Sequence, residues 1–112
     1  MRQTINVGEV EVPLRVSGAT PEIYAEHFGR ELMKDFATLV DSVNNGEKVE
    51  DGALLIVKRM MYVMARQANK SITLGFIDWL DQFEEFPVEE FAASVVKLFA
   101  SSLQTKAERK NV

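Results

Sequence analysis

One 17-residue segment of this chain is apolar on almost every side. It reads ALLIVKRMMYVMARQAN (residues 53–69), and its main polar positions are Lys58, Arg59, Arg66 and Gln67. A helix that is apolar all round has to be surrounded by other elements. The segment therefore predicts a central helix over residues 52–69, with the rest of the chain folded around it.

The methionine-rich part of this helix, MMYVM (residues 60–64), is open to two interpretations. Methionine clusters occur on adaptable binding surfaces, and they also fill irregular gaps in cores. Because the surrounding helix is so apolar, core packing is the favoured interpretation.

The N-terminal residues alternate between apolar and polar side chains. Such a period of two, interrupted by a glycine, is typical of a half-buried β-hairpin. We therefore expect a hairpin over about residues 3–16, with Pro13 in an edge strand because proline cannot donate to a ladder. A hairpin is marginal alone in water, so its apolar face should lie on the helices. The alternating residues are Ile5, Val7, Val10, Val12, Leu14 and Val16, with Gly8 at the interruption.

A helix is predicted over residues 21–43, with Thr20 as its N-cap and Pro21 in its first turn. Gly29 falls inside this helix, although alanine there would stabilise a helix by about 1 kcal/mol. Close approach of another backbone or a bulky aromatic residue would explain the glycine, and contact with a partner is the alternative. Phe28 and Gly29 are accordingly assigned to helix packing or contact.

Two further helices are predicted, over residues 74–84 and 87–103, after a turn in NNGEKVEDG (residues 44–52). Pro87 suits the first turn of the last helix. Residues 104–112 are polar and are expected to form a flexible tail. The prediction is thus one domain over residues 1–103, of the α+β class but mainly α, with a hairpin followed by four helices.

Composition and charge exclude several classes of function. The net charge of −4 argues against nucleic-acid binding, which needs a basic face. The sequence also predicts no signal peptide and no membrane span, because no apolar stretch reaches about 20 residues.

The catalytic inventory is small. There is no cysteine, and His27 is the only histidine. A lone histidine beside an apolar stripe is more often structural or solvated than catalytic. Six acids follow one another without an intervening base, and solvated helix exteriors explain them better than a proton-sharing pair or a cation site. We therefore expect no enzyme activity, no cofactor and no metal. The six acids are Asp78, Asp81, Glu84, Glu85, Glu89 and Glu90.

Three ordered motifs follow the hairpin. The first is TPEIYAEHFGRELMKDFATL, with a Tyr-x-x-x-Phe-Gly-x-acid-apolar-x-x-Asp pattern. The second is a Met-Ala pair with an Ala-Asn step, and the third is a Trp-Leu-x-x-Phe element. Together they resemble the tail assembly chaperones of long-tailed phages that infect Gram-positive bacteria. The matching residues are Tyr24, Phe28, Gly29, Glu31, Leu32 and Asp35, then Met64, Ala65, Ala68 and Asn69, then Trp79, Leu80 and Phe83.

This resemblance covers about residues 3–103 and implies a non-enzymatic role. Members of the family coat the tape measure protein before the tail tube polymerises around it, act in the host bacterial cytoplasm, and are absent from the mature virion. The tape measure protein is then the expected partner, with the major tail protein and further copies of the chain as additional candidates. Glu31 stands where aspartate is commoner in the family.

A chaperone of this kind needs apolar surface beyond its own core, and the last two helices have a wide apolar stripe. We expect part of that stripe to face a partner. The alternative is a small acidic regulatory or inhibitory protein-binding module. The residues assigned to partner binding are Trp79, Phe83, Phe86, Phe91 and Val96.

Overall fold

The architecture is an N-terminal β-hairpin followed by five helices, described for residues 1–44 and 51–110 of a computed structural model, with side-chain surroundings for residues 1–44 and 52–103. The predicted α+β, mainly α class is confirmed. The elements are β1 (Arg2–Val7), β2 (Val10–Arg15), α1 (Thr20–Phe28), α2 (Leu32–Asn44), α3 (Asp51–Ala68), α4 (Phe76–Asp81) and α5 (Val88–Lys110).

The hairpin pairs β1 with β2 in one continuous antiparallel register, from Arg2 opposite Arg15 to Val7 opposite Val10. Gly8 begins the two-residue turn with φ +64°, while Glu9 keeps a negative φ. This combination is that of a type II′ turn, whose twist matches paired strands. One face of the hairpin is buried against the helices, as the alternation predicts, except at Val10, which is 52% exposed. Its buried residues are Ile5, Val7, Val12, Leu14 and Val16.

Helix α3 lies at the centre of the domain, in contact with β2 and with all four other helices. Met60, Met61 and Met64 are fully buried in it. The sequence-based prediction of a central helix with a methionine-filled core is therefore confirmed.

The predicted helix over residues 21–43 is two helices, α1 and α2, because the chain turns at Gly29. Gly29 has φ +63°, and its N–H donates to Ala25 O over 2.8 Å, which closes the C-terminus of α1. A Cβ built on Gly29 would have no neighbouring atom within 4 Å. The predicted close approach at Gly29 is therefore wrong: the glycine is required by the left-handed backbone conformation, which L-residues with a Cβ disfavour.

The last two helices differ from the prediction in length. Helix α4 ends at Asp81, and the N–H groups of Gln82 and Phe83 satisfy carbonyls of its last turn. Helix α5 begins next to Pro87 as expected, but it continues to Lys110, through most of the segment predicted as a polar tail. Residues 111–112 and most of the predicted turn, residues 45–50, lie outside the described residues.

Candidate functional site

The tyrosine, glycine and aspartate of the first motif meet at the corner between α1 and α2. The Tyr24 hydroxyl donates to Asp35 Oδ2 over 2.7 Å. Arg30 donates from Nε to Oδ2 and from Nη2 to Oδ1, both over 2.7 Å. Because three donors satisfy it, the 6% exposed Asp35 side chain is stable in its charged form. This part of the motif therefore fastens two helices together.

The pKa shifts in this corner favour fixed protonation states. The hydrogen bonds from Arg30 lower the pKa of Asp35, although its burial acts in the opposite direction. Burial raises the pKa of Tyr24, and the acceptor Asp35 raises it further. Tyr24 thus remains a donor and Asp35 a charged acceptor at neutral pH, as befits a structural contact.

A second polar contact joins α1 to the central helix. The Thr20 hydroxyl donates to Gln67 Oε1 over 2.6 Å, and Gln67 Nε2 donates to Ser17 Oγ over 2.9 Å. Thr20 lies in the first turn, and Ala19 occupies the N-cap position. The predicted N-cap role of Thr20 is therefore wrong. Its hydroxyl instead links α1 to Gln67 of α3, a residue 47 positions further along the chain.

Aromatic rings form a continuous row across the domain, in edge-to-face and tilted contacts. The row passes from α1 through α3 and α4 to α5, with ring centroids 5.2–6.2 Å apart. Trp79 is its middle member, 5.6 Å from Tyr62 and 5.3 Å from Phe83. Edge-to-face pairs contribute about 0.5–1.5 kcal/mol each beyond their buried area. The rings are Tyr24, Phe28, Tyr62, Phe76, Trp79, Phe83, Phe86 and Phe91.

This row explains how the short helix α4 is held on α3. The Tyr62 hydroxyl donates to the carbonyl of Leu74, just before α4, over 2.7 Å, and Arg66 donates to that hydroxyl over 2.9 Å. Phe28 contacts Phe76 at 5.2 Å and also carries the guanidinium of Arg59 over its face. Packing of Phe28 is thus evident, whereas its contact with a partner stays a prediction.

The residues predicted to bind a partner divide into two groups by burial. Trp79 and Phe91 are only 2% and 5% exposed, so their placement on an exposed face is wrong. Most of the apolar stripe of α5 is likewise used by the core. Phe83, Phe86 and Val96 are half-buried, and a binding role for them stays a prediction.

Among the described residues, the large apolar side chain with the highest exposure lies on the segment that carries α4. We call residues 72–86 the α4 segment. Ile77 is 71% exposed and Leu74 39% exposed, while Ile72, Leu80 and Phe83 are half-buried. Ile77 is not among the residues predicted to bind a partner. The apolar pattern of so short a helix does not indicate which of its sides faces the core.

An apolar groove separates β2 from the α4 segment. Its volume is about 290 Å³, and it is lined by Val10, Glu11, Val12, Pro13, Ala65, Asn69, Ile72, Trp79, Gln82 and Phe83. A second groove of about 320 Å³ adjoins it at the hairpin turn and shares Val10, Gln82 and Phe83. We call the two together the β2–α4 groove.

The charged residues that line the β2–α4 groove are all acidic. Four glutamates line it, and no lysine or arginine is found among the described lining residues. Two of the four acids belong to the hairpin and two to the connection between α4 and α5. These two segments are far apart in the sequence. They are Glu9, Glu11, Glu84 and Glu85.

The groups considered for catalysis are dispersed. His27 is exposed, and its ring lies 5.5 Å from that of Tyr62; partial burial and the nearby Arg66 lower its pKa. All six acids of the C-terminal run are exposed, as expected for solvated helix exteriors. Among the described residues, no group of three or more His, Cys, Asp or Glu is placed to hold a metal ion.

Comparison with protein-family models, with curated proteins and with solved structures gave no match. In the part of the chain that the structure describes, no helix has the length and apolar character needed to cross a bilayer.

Proposed function

We propose that this chain is a non-enzymatic protein-binding domain that acts as a phage tail assembly chaperone. Two separate observations support protein binding: the β2–α4 groove, and the exposed apolar side chains of Ile77 and Leu74 on the α4 segment. Exposed apolar area of this kind commonly marks a site for another protein. The specific role rests on the resemblance of the three motifs to the tail assembly chaperones.

The surface of the domain has the two properties that such a chaperone needs, apolar side chains to cover its partner and an acidic exterior. A tape measure protein is long and apolar, and it aggregates unless its apolar side chains are covered. Phe83, Phe86 and Val96, together with Ile77, would supply that cover. The acidic exterior, with a net charge of −4, would keep coated complexes apart. In this proposal the chain acts in the host bacterial cytoplasm and is left out of the mature virion.

Co-expression with the candidate tape measure protein tests the proposal. We expect the wild-type chain to shift the tape measure protein from the insoluble to the soluble fraction. Ile77→Asp should abolish most of this effect without unfolding the chain, because Ile77 is 71% exposed. A tape measure protein that stays insoluble beside the folded wild-type chain would refute the proposal.

Met33→Asp is the matched control for this experiment. Met33 is also an exposed apolar residue, 49% exposed, but it lies on α2. It should solubilise the tape measure protein as well as the wild type does. Equal losses in both variants would mean that general surface hydrophobicity, and not the α4 segment, is responsible.

A regulatory protein-binding module is the second candidate, because an acidic apolar groove suits that role as well. Gene order separates the two. A chaperone gene should lie between the genes for the major tail protein and a very long tape measure protein, whereas a regulator gene should lie elsewhere.

A further inference from the structure

The β2–α4 groove runs along the free edge of β2. Four consecutive residues of β2, Val10 to Pro13, line its part of about 290 Å³ between β2 and the α4 segment, and no residue of β1 lines that part. Successive side chains of a strand point to opposite faces. A groove lined by consecutive residues therefore lies beside the strand, on the edge that β1 leaves open.

The backbone groups on that edge can be assigned from the ladder. Val16 N–H donates to Met1 O over 2.8 Å, and Met1 N donates to Val16 O over 2.9 Å. Met1 and Val16 thus form a hydrogen-bonded pair, and such pairs alternate along an antiparallel ladder. By this alternation Val10 and Val12 point their N–H and C=O groups toward β1, whereas Glu11 and Pro13 point theirs away.

The outward groups of β2 are open. No described residue hydrogen-bonds to the outward N–H and C=O of Glu11 or to the C=O of Pro13. Proline is tolerated at position 13 for this reason, since its missing N–H would face outward. The edge thus presents one donor and two acceptors to the groove.

We propose that the β2–α4 groove binds an extended peptide segment, which adds to β2 as a third strand and carries lysine or arginine between apolar residues. The open donor and acceptors of β2 would pair with its backbone. Its apolar side chains would enter between Val12 and Phe83, on the core side of the sheet. Its basic side chains would point to the opposite face, which Glu11 shares. The inference rests on the proposed protein-binding function.

Charge and size both favour this occupant. Four glutamates from two separate parts of the chain line the groove without a compensating base among the described lining residues. A cationic segment relieves their mutual repulsion, whereas an acidic one adds to it. The two adjoining parts of the groove, of about 290 and 320 Å³, form an elongated site that suits several side chains of an extended peptide.

The test uses a synthetic peptide, Lys-Val-Lys-Leu-Lys-Val-Lys, and the full chain. The matched control peptide has the same composition without alternation, Val-Val-Leu-Lys-Lys-Lys-Lys. Fluorescence anisotropy measures affinity, and amide hydrogen exchange by NMR measures pairing. We expect the alternating peptide to bind better and to slow exchange of the Glu11 amide by about tenfold or more. The amide of Val12, already bonded to β1, should change little.

Variants separate charge from backbone pairing. Glu11→Gln with Glu84→Gln should weaken peptide binding by about threefold or more, since each exposed charge contributes modestly. Glu22→Gln with Asp41→Asn changes the net charge equally at exposed positions outside the groove, and it should have little effect. Glu11→Pro removes the outward N–H without touching the ladder, so it should weaken binding beyond Glu11→Gln.

Three results would overturn the inference. One is equal binding of the two peptides, and another is equal weakening by the groove and control pairs of substitutions. The third is tight binding without slower exchange at Glu11, which would mean that the peptide binds without pairing to the edge of β2. The exchange measurement needs no variant, so it remains decisive if Glu11→Pro unfolds.

The result for the tape measure protein is separable from these. If the wild type and Glu11→Pro solubilise it equally, strand addition is wrong while the chaperone role stands. If the wild type fails to solubilise it but the alternating peptide protects Glu11, the chaperone role is wrong and strand addition stands.

Discussion

Replacing Gly29 with alanine distinguishes the two accounts of this residue by the sign of the effect. Inside a continuous helix over residues 21–43, Gly29→Ala would stabilise the fold by about 1 kcal/mol. At φ +63° alanine instead incurs about 1–2 kcal/mol of backbone strain. The smaller freedom of the unfolded alanine chain offsets about 0.4–1 kcal/mol of that. With no atom within 4 Å of the new Cβ, no clash is added, so we expect a net destabilisation of about 1 kcal/mol.

Chemical denaturation measures this change as the free energy of unfolding at 25 °C. A loss of about 1 kcal/mol should also lower Tm by about 4 °C for a domain of this size. Gly29→Asn should cost less than Gly29→Ala, because asparagine tolerates the left-handed region better.

Gly52→Ala is the matched control within the same chain. Gly52 is an exposed residue in α3 with no positive φ, and a Cβ there also meets nothing within 4 Å. Alanine at position 52 should stabilise the fold by up to about 1 kcal/mol. If Gly29→Ala stabilises the chain as Gly52→Ala does, then α1 and α2 are one helix and the reasoning is wrong.

Three further predictions concern the core and the corner. Asp35→Asn should lower the free energy of unfolding by about 2–3 kcal/mol, because Tyr24 and Arg30 lose a charged acceptor; Asp41→Asn, exposed on the same helix, is the control. The pKa of Asp35 is lowered in the folded chain, so its ionised carboxylate stabilises the fold at pH values above the unfolded pKa of about 4. This stabilisation is lost as the pH falls through the folded pKa. The free energy of unfolding should therefore decrease less steeply with falling pH in Asp35→Asn than in the wild type. Trp79→Ala should cost about 3–5 kcal/mol and Ile77→Ala less than about 0.5 kcal/mol, although both are apolar residues of α4.

Each of these predictions has a result that would contradict it. Equal stability changes for Asp35→Asn and Asp41→Asn would mean that the corner does not hold α1 to α2. Parallel acid denaturation curves would show that Asp35 has an ordinary pKa in the folded chain. A small effect of Trp79→Ala would mean that the aromatic row does not hold α4 on α3.

The functional assignment depends on a surface that the motifs alone do not describe. Tyr24, Gly29 and Asp35 of the first motif build a corner, and Trp79 of the third motif is buried, so the most distinctive motif residues are structural. The proposed binding surfaces are the exposed Ile77 and, separately, the groove along the edge of β2, which Phe83 of the third motif also lines. The first motif is thus structural, whereas the second and third motifs contribute Ala65, Asn69, Trp79 and Phe83 to the lining of the groove.

Local periodicity was sufficient for the outline of this protein. The alternation at the N-terminus predicts the hairpin, and the all-round apolar character of residues 53–69 predicts the central position of α3. Both patterns can be read from neighbouring residues in the sequence, and each indicates which faces of its element are apolar and must be buried. Pro13 likewise indicates an edge strand from the sequence alone, because a missing N–H is a local property.

Only the tertiary structure decided which apolar residues remain exposed and which backbone groups stay open. Phe91 and Ile77 are both apolar helix residues, yet packing buries the first and leaves the second 71% exposed. Gly29 has the same side chain whether it allows a close neighbour or a left-handed turn, and the sequence pattern on either side of it is helical in both cases. The β2–α4 groove arises from segments about 70 residues apart, whose meeting depends on the packing of the whole domain around α3.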